Sequence, residues 1–101
     1  MMRVLAAVYR DVASVTAQGG RSVFHEPVGS VWLKAGARRR RERDEGGVSR
    51  IREEMRAEVR ADPRLVEGMR LRFSGADWGL VGIDPVEGRD GRWSLVLERL
   101  R

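Results

Sequence analysis

The last third of the chain alternates apolar and polar residues with a period of two. In "MRLRF" Met69, Leu71 and Phe73 share one parity, and Arg70, Arg72 and Ser74 the other. "RWSLVLERL" repeats the pattern through Trp93, Leu95 and Leu97. This period belongs to a half-buried strand, because successive side chains of a strand point to opposite faces. Between the two runs, "SGAD" is a turn signal. "WGLVGI" is a further strand, whose glycines mark a bulge or a close approach of backbone. Pro85 through Gly91 is a loop, with hairpin-turn chemistry in Asp90-Gly91. Three consecutive antiparallel strands are expected. Their core candidates are Met69, Leu71, Phe73, Trp78, Ile83, Trp93, Leu95 and Leu97, joined by Trp32 from upstream. A core this small leans on its tryptophans, each of which buries a large area. Trp78, directly after a turn, is the one expected to be partly exposed.

The first two thirds are less regular. "SVFHEPVGSVWLKA" is rich in β-branched and aromatic residues but is broken by Pro27 and Gly29, which fits two short strands or one interrupted edge strand. Gly19-Gly20 before it is a turn. In "RVLAAVYRDVASVTA", Leu5, Val8, Tyr9 and Val12 have helical spacing, while the valines and Thr16 favour the strand preferred here. "SRIREEMRAEVRAD" stays open between the two. Ile51, Met55 and Val59 would form a helical stripe, with Glu and Ala favouring a helix. Yet Ile51, Met55, Ala57 and Val59 also share one parity, as a strand requires. Asp62-Pro63 ends either element, and "RLVEG" turns into the next strand.

Between these segments lies "AGARRRRERDEGG", residues 35–47. Residues 1–50 carry ten basic and five acidic side chains, and residues 51–101 ten of each, so the net charge of +5 lies in the first half. Most of it comes from Lys34, Arg38, Arg39, Arg40, Arg41 and Arg43. Arginine suits phosphate and carboxylate contacts. The expectation is one domain over residues 1–101, an all-β antiparallel barrel of about six or seven strands. A long charged, flexible loop at about 36–50 would leave it, a length that marks functional or disordered segments. The run admits a solvated loop, a sequence-independent phosphate contact weakened by salt, or a targeting signal. Its mixed "RERDE" end suits protein docking at least as well as a DNA clamp.

The chain holds no catalytic set. His25 is the single histidine and stands beside Glu26 without a nucleophile in a recognisable setting. Glu53, Glu54 and Glu58 alternate with Arg52, Arg56 and Arg60, as in a solvated or inter-subunit charge pattern rather than a metal site. "GADWG" and "EGRDG" lack the strand–helix context of a phosphate loop. No cysteine is present for a disulfide or thiolate site. No apolar run approaches the roughly 20 residues of a membrane span, and the short apolar patch after Arg3 lacks the long core of a signal peptide. No enzyme, cofactor, metal or membrane partner is expected.

From about Gly19 onward, the order and spacing of these signals resemble a known family, the small head–tail connector proteins of tailed phages. These are variously called head-completion, head-closure, adaptor or stopper proteins, and related connectors occur in gene transfer agents. The resemblance is carried by Gln18-Gly19-Gly20, Val31-Trp32, "RADPRLVEGMRLRF" from Arg60 to Phe73, "WGLVGIDP" from Trp78 to Pro85, and Arg92 through Leu100. It implies a small β-barrel that assembles as a six-fold or twelve-fold ring between a portal-side adaptor and the tail terminator or tail proteins. The ring would sit at the head–tail interface of a phage, prophage or gene-transfer-agent particle assembled in the bacterial cytoplasm. The resemblance also implies that Ala37 through Ser49 project from the barrel, that segment 51–60 is a strand, and that loops line or close the channel for double-stranded DNA. Arg38, Arg39, Arg40, Arg41 and Arg43 would then face DNA, without reading its sequence, or a neighbouring subunit. A stopper fits better than an adaptor, which would be more helical. The alternative is a free-standing nucleic-acid-binding barrel that uses the arginines as its phosphate grip.

Overall fold

Period-two alternation becomes a single inward face in the folded chain. The structure, a computed structural model, describes residues 2–45 and 48–100, with side chains for residues 3–40 and 52–100. Six strands follow in order: β1 (Met2–Val15), β2 (Arg21–Glu45), β3 (Val48–Arg60), β4 (Arg70–Phe73), β5 (Ala76–Pro85) and β6 (Arg92–Arg99). They close as an antiparallel barrel in the order β1-β2-β3-β6-β5-β4. No helix occurs among the described residues. The expected all-β architecture is the one found.

The core is built by parity. On β3, Met55, Ala57 and Val59 are buried, flanked by β2 on one side and β6 on the other. Pairing on both edges, together with that burial, outweighs the local helix preference of the segment. Leu71 and Phe73 from β4, Trp78 and Leu80 from β5, and Leu95 and Leu97 from β6 complete the inner face, while Ile83 and Trp93 pack against it half-buried. Leu65 and Met69 in the β3–β4 connection also enter the core. The β4–β5 hairpin turns on Ser74 and Gly75, both at positive φ (51° and 73°), the conformation a tight two-residue hairpin needs. The "WGLVGI" strand bulges between Leu80 and Gly82.

Two expectations are corrected. Trp78 is fully buried, its ring stacked 5.9 Å from Phe73, whereas Trp32 is 63% exposed. Parity explains both. Val31 and Leu33 point inward, so Trp32 between them points outward, opposite Leu5 of β1. The other correction concerns residues 36–50. Instead of a loop, residues 36–45 continue β2 and Val48–Arg50 begin β3, paired as a two-stranded ribbon. Gly46 and Gly47 lie outside the described residues. A second ribbon, from the far ends of β1 and β2, pairs Arg10–Val15 with Arg21–Glu26. The two ribbons give a radius of gyration of 15.4 Å, against the roughly 13 Å of a compact chain this long.

The inverted tryptophans give a direct check. Trp78→Ala should cost about 3–5 kcal/mol in urea unfolding, a large share of the roughly 5–15 kcal/mol of a small domain. Trp32→Ala should change stability by less than about 1 kcal/mol.

Candidate functional site

The arginine run begins where the barrel ends, and a bulge aims it. Ala35 pairs with Ala57 and Arg38 with Met55, so Gly36 and Ala37 together oppose Arg56. One extra residue reverses the facing of everything after it. Gly36 is required by space: a Cβ there would lie 2.7 Å from the Arg56 carbonyl oxygen.

Beyond the bulge the even-numbered residues of β2 continue the inner face. Arg38 lies with its guanidinium 5.4 Å from the centre of the Trp78 ring, a cation–π contact over the core. Arg40, opposite Glu53 in register, has its Nε 3.9 Å from the Glu53 carboxylate, which also accepts a hydrogen bond from Arg99 at 3.2 Å. Arg39 falls opposite Glu54 and lines a small cleft of about 120 Å³ with Arg56 and Val96. The side chains of Arg41 and Arg43 lie outside the described residues. Their backbone register sets Arg41 opposite Arg52 and Arg43 opposite Arg50. The five arginines singled out from the sequence are therefore not one uniform cluster. Arg38 and Arg40 are tied to the barrel mouth, and Arg39 belongs to the other face.

The carboxylates of β3 are satisfied within the chain. Arg99, through its hydrogen bond, holds the Glu53 carboxyl below the usual carboxylate range, helped by the charges of Arg40 and Arg38. Arg92 does the same for Glu58, with Arg89 assisting. On β5, Asp77 is lowered by Arg72 first and Arg70 second. Arg52 donates to Glu98 at 2.6 Å. Arg52, Glu53 and Glu58 of β3 thus form cross-strand pairs with β2, β6 and the β5–β6 turn. His25 Nδ1 lies 2.6 Å from Asp11 on the β1–β2 ribbon. Among the described residues no three ligating side chains gather as a metal site.

Sequence reasoning passed over a second surface, where Trp32 opens onto a groove of about 840 Å³ between β2 and the end of β3. Its signal was the parity of Val31-Trp32-Leu33, overridden by the size of the indole.

No protein-family model matches the chain. No curated protein matches it either. Solved structures do share its fold. A chain from the virion of a native gene transfer agent particle superimposes with a TM-score of 0.71 at 20% identity, covering 99% of this chain and 98% of that one. The phage-like element PBSX protein xkdH from Bacillus subtilis superimposes with a TM-score of 0.61 at 13% identity, covering 98% and 95%.

Two measurements test the geometry. Gly36→Ala should destabilise the protein by about 1–3 kcal/mol, since the new methyl meets backbone rather than a movable side chain; urea unfolding reads it. The lowered carboxyls predict an acid dependence. Their contribution is complete above the unfolded-state value of roughly 4 and fades as the pH falls through the lower folded-state values. The urea midpoint should therefore hold from neutral pH to about 5 and drop below about 4. A Glu53→Gln, Glu58→Gln, Asp77→Asn variant should show a shallower drop.

Proposed function

We propose that this chain is a structural component of a phage-like particle, a head–tail connector of the stopper kind that forms a ring between the DNA-filled head and the tail. One observation carries the reading: the fold is shared over nearly the whole of both chains with a component of a gene transfer agent virion. The phage-like element protein supports it through a second fold match of similar extent. The all-strand architecture favours a stopper over a more helical adaptor. Ring formation has a physical basis in the free strand edges of both ribbons, which neighbouring copies in a closed heterologous arrangement would cover.

In this reading the arginine-rich ribbon is a projecting arm held at a set angle, rather than a free phosphate grip. Arg38 and Arg40 fix its root to the barrel mouth. A ring of such arms would present arginines towards the DNA backbone or an adjacent subunit without reading sequence. Arg38 and Arg40 are exposed but already partnered within the chain, which disfavours a free-standing nucleic-acid binder, whose grip would need uncommitted cations.

Deletion of the gene in its native host, followed by electron microscopy, tests the assignment. DNA-emptied or tailless heads beside free tails are expected; intact tailed particles would overturn it. Charge neutralisation of Arg38 through Arg41 should leave the monomer folded while lowering DNA retention or particle yield.

A further inference from the structure

The groove beside Trp32 has the parts of a peptide-docking site. β3 leaves the sheet after Arg60, and its last pairing on this side of β2 joins Val59 to Leu33. From Arg21 to Trp32, β2 forms strand pairs only with β1; the Arg64 guanidinium lies against Gly29, and among the described residues no backbone pairs the other edge from Ser30 to Trp32. Part of that edge, Ser30–Trp32, forms one wall of the groove, and the departing chain and the β5–β6 turn form the other. An open edge is a row of backbone donors and acceptors that an incoming strand completes. Arg64 against Gly29 ends the usable stretch, and Pro27 beyond it has no N–H.

The side chains around this edge select what would enter. Trp32 and Leu5, directly opposite each other in register, are 63% and 51% exposed and form an apolar anchor. Exposed tryptophan and arginine are the residues most often found at binding hot spots. Arg3, Lys34 and Arg60 line the groove and have no ion-pair partner among the described residues. The other charges there are Arg92, held by Glu58 at 3.1 Å, Asp62, held by Arg64 at 2.7 Å, and Asp90. The free charge is therefore three cations against one carboxylate.

We propose that this groove docks an extended acidic segment of a partner protein, which adds as a strand to the β2 edge, seats an apolar side chain on Trp32 and pairs its carboxylates with Arg3, Lys34 and Arg60. Cations and an exposed indole alone would also suit a nucleic acid. The open backbone edge is what favours a polypeptide, because only a strand satisfies it. The excess of positive charge favours an acidic partner over a second copy of this chain, whose net charge is +5. The inference stands on the groove and does not depend on the particle assignment.

Trp32 reports on its own site, being the exposed one beside a buried Trp78 and a half-buried Trp93. The probe is a peptide of about ten residues alternating valine and glutamate. Comparison probes are its valine–lysine counterpart and an oligothymidine of similar length. The acidic peptide should shield Trp32 from acrylamide quenching and slow amide exchange at Ser30–Trp32. Lys34→Glu with Arg60→Glu should weaken it about tenfold or more, and so should Trp32→Ala, with circular dichroism confirming that each variant is folded. Equal binding of the lysine peptide, binding of the oligothymidine in place of the acidic peptide, or no protection of the Ser30–Trp32 amides would each overturn the proposal. So would shielding of Trp32 by self-association in the absence of peptide.

Discussion

Closure of the barrel rests on β2 serving two neighbours at once over Leu33, Lys34 and Ala35. β1 covers one edge of β2 as far as Ala35, and β3 covers the other from Leu33 onward. Leu33, in the middle of this join, is fully buried. Because the doubly paired stretch is short, the rest of a 25-residue strand is paired on one side only. Both ribbons follow from that constraint, and so do the open edges that the functional proposals use. The bulge at Gly36 comes immediately after the join. The chain thus changes facing where it stops being barrel and becomes arm, which brings Arg38 back over Trp78.

Charge then decides how the surface is used. Exposed ion pairs each contribute little stability, about 0–1 kcal/mol, but here they sort arginines into two populations. Those at Arg52, Arg72, Arg92 and Arg99 are committed to Glu98, Asp77, Glu58 and Glu53 across strand boundaries. Among the described residues, Arg3, Lys34 and Arg60 are left without such partners beside the exposed Trp32. A chain with a large excess of arginine gains no specific surface from composition alone. The cross-strand pairing leaves one region cationic while neutralising another.

Much of the fold was legible locally. The alternation through Met69, Leu71 and Phe73 and through Trp93, Leu95 and Leu97 reads directly as strand, and the glycines of "WGLVGI" correctly marked a bulge. Trp32 reads as core by its size and Trp78 as partly exposed by its place after a turn, whereas the parity of Val31-Trp32-Leu33 and of Trp78 with Leu80 assigns each to the opposite side. The ribbon at 36–45 and 48–50 was hidden for a different reason. Local sequence shows a charge run, which taken by itself repels and stays solvated. Only the register sets Arg39 opposite Glu54 and Arg40 opposite Glu53, and register is a property of two segments together. The arginines were therefore found as candidate residues, but their division between a barrel-mouth anchor and an outer face was not.

This chain offers open edges on both sides of one strand. Among the described residues, no strand pairs β2 from Arg21 to Trp32 on the side that β3 would otherwise cover; beyond the bulge, none pairs residues 38–45 on the side that β1 would cover. The two lie at opposite ends of β2 and are joined through the Leu33–Ala35 segment. Gly36 is the one place between them where register shifts, and its lack of a side chain lets the Arg56 backbone approach. The angle between arm and barrel is consequently set by backbone packing at this residue and by Arg38 on Trp78, not by a flexible linker.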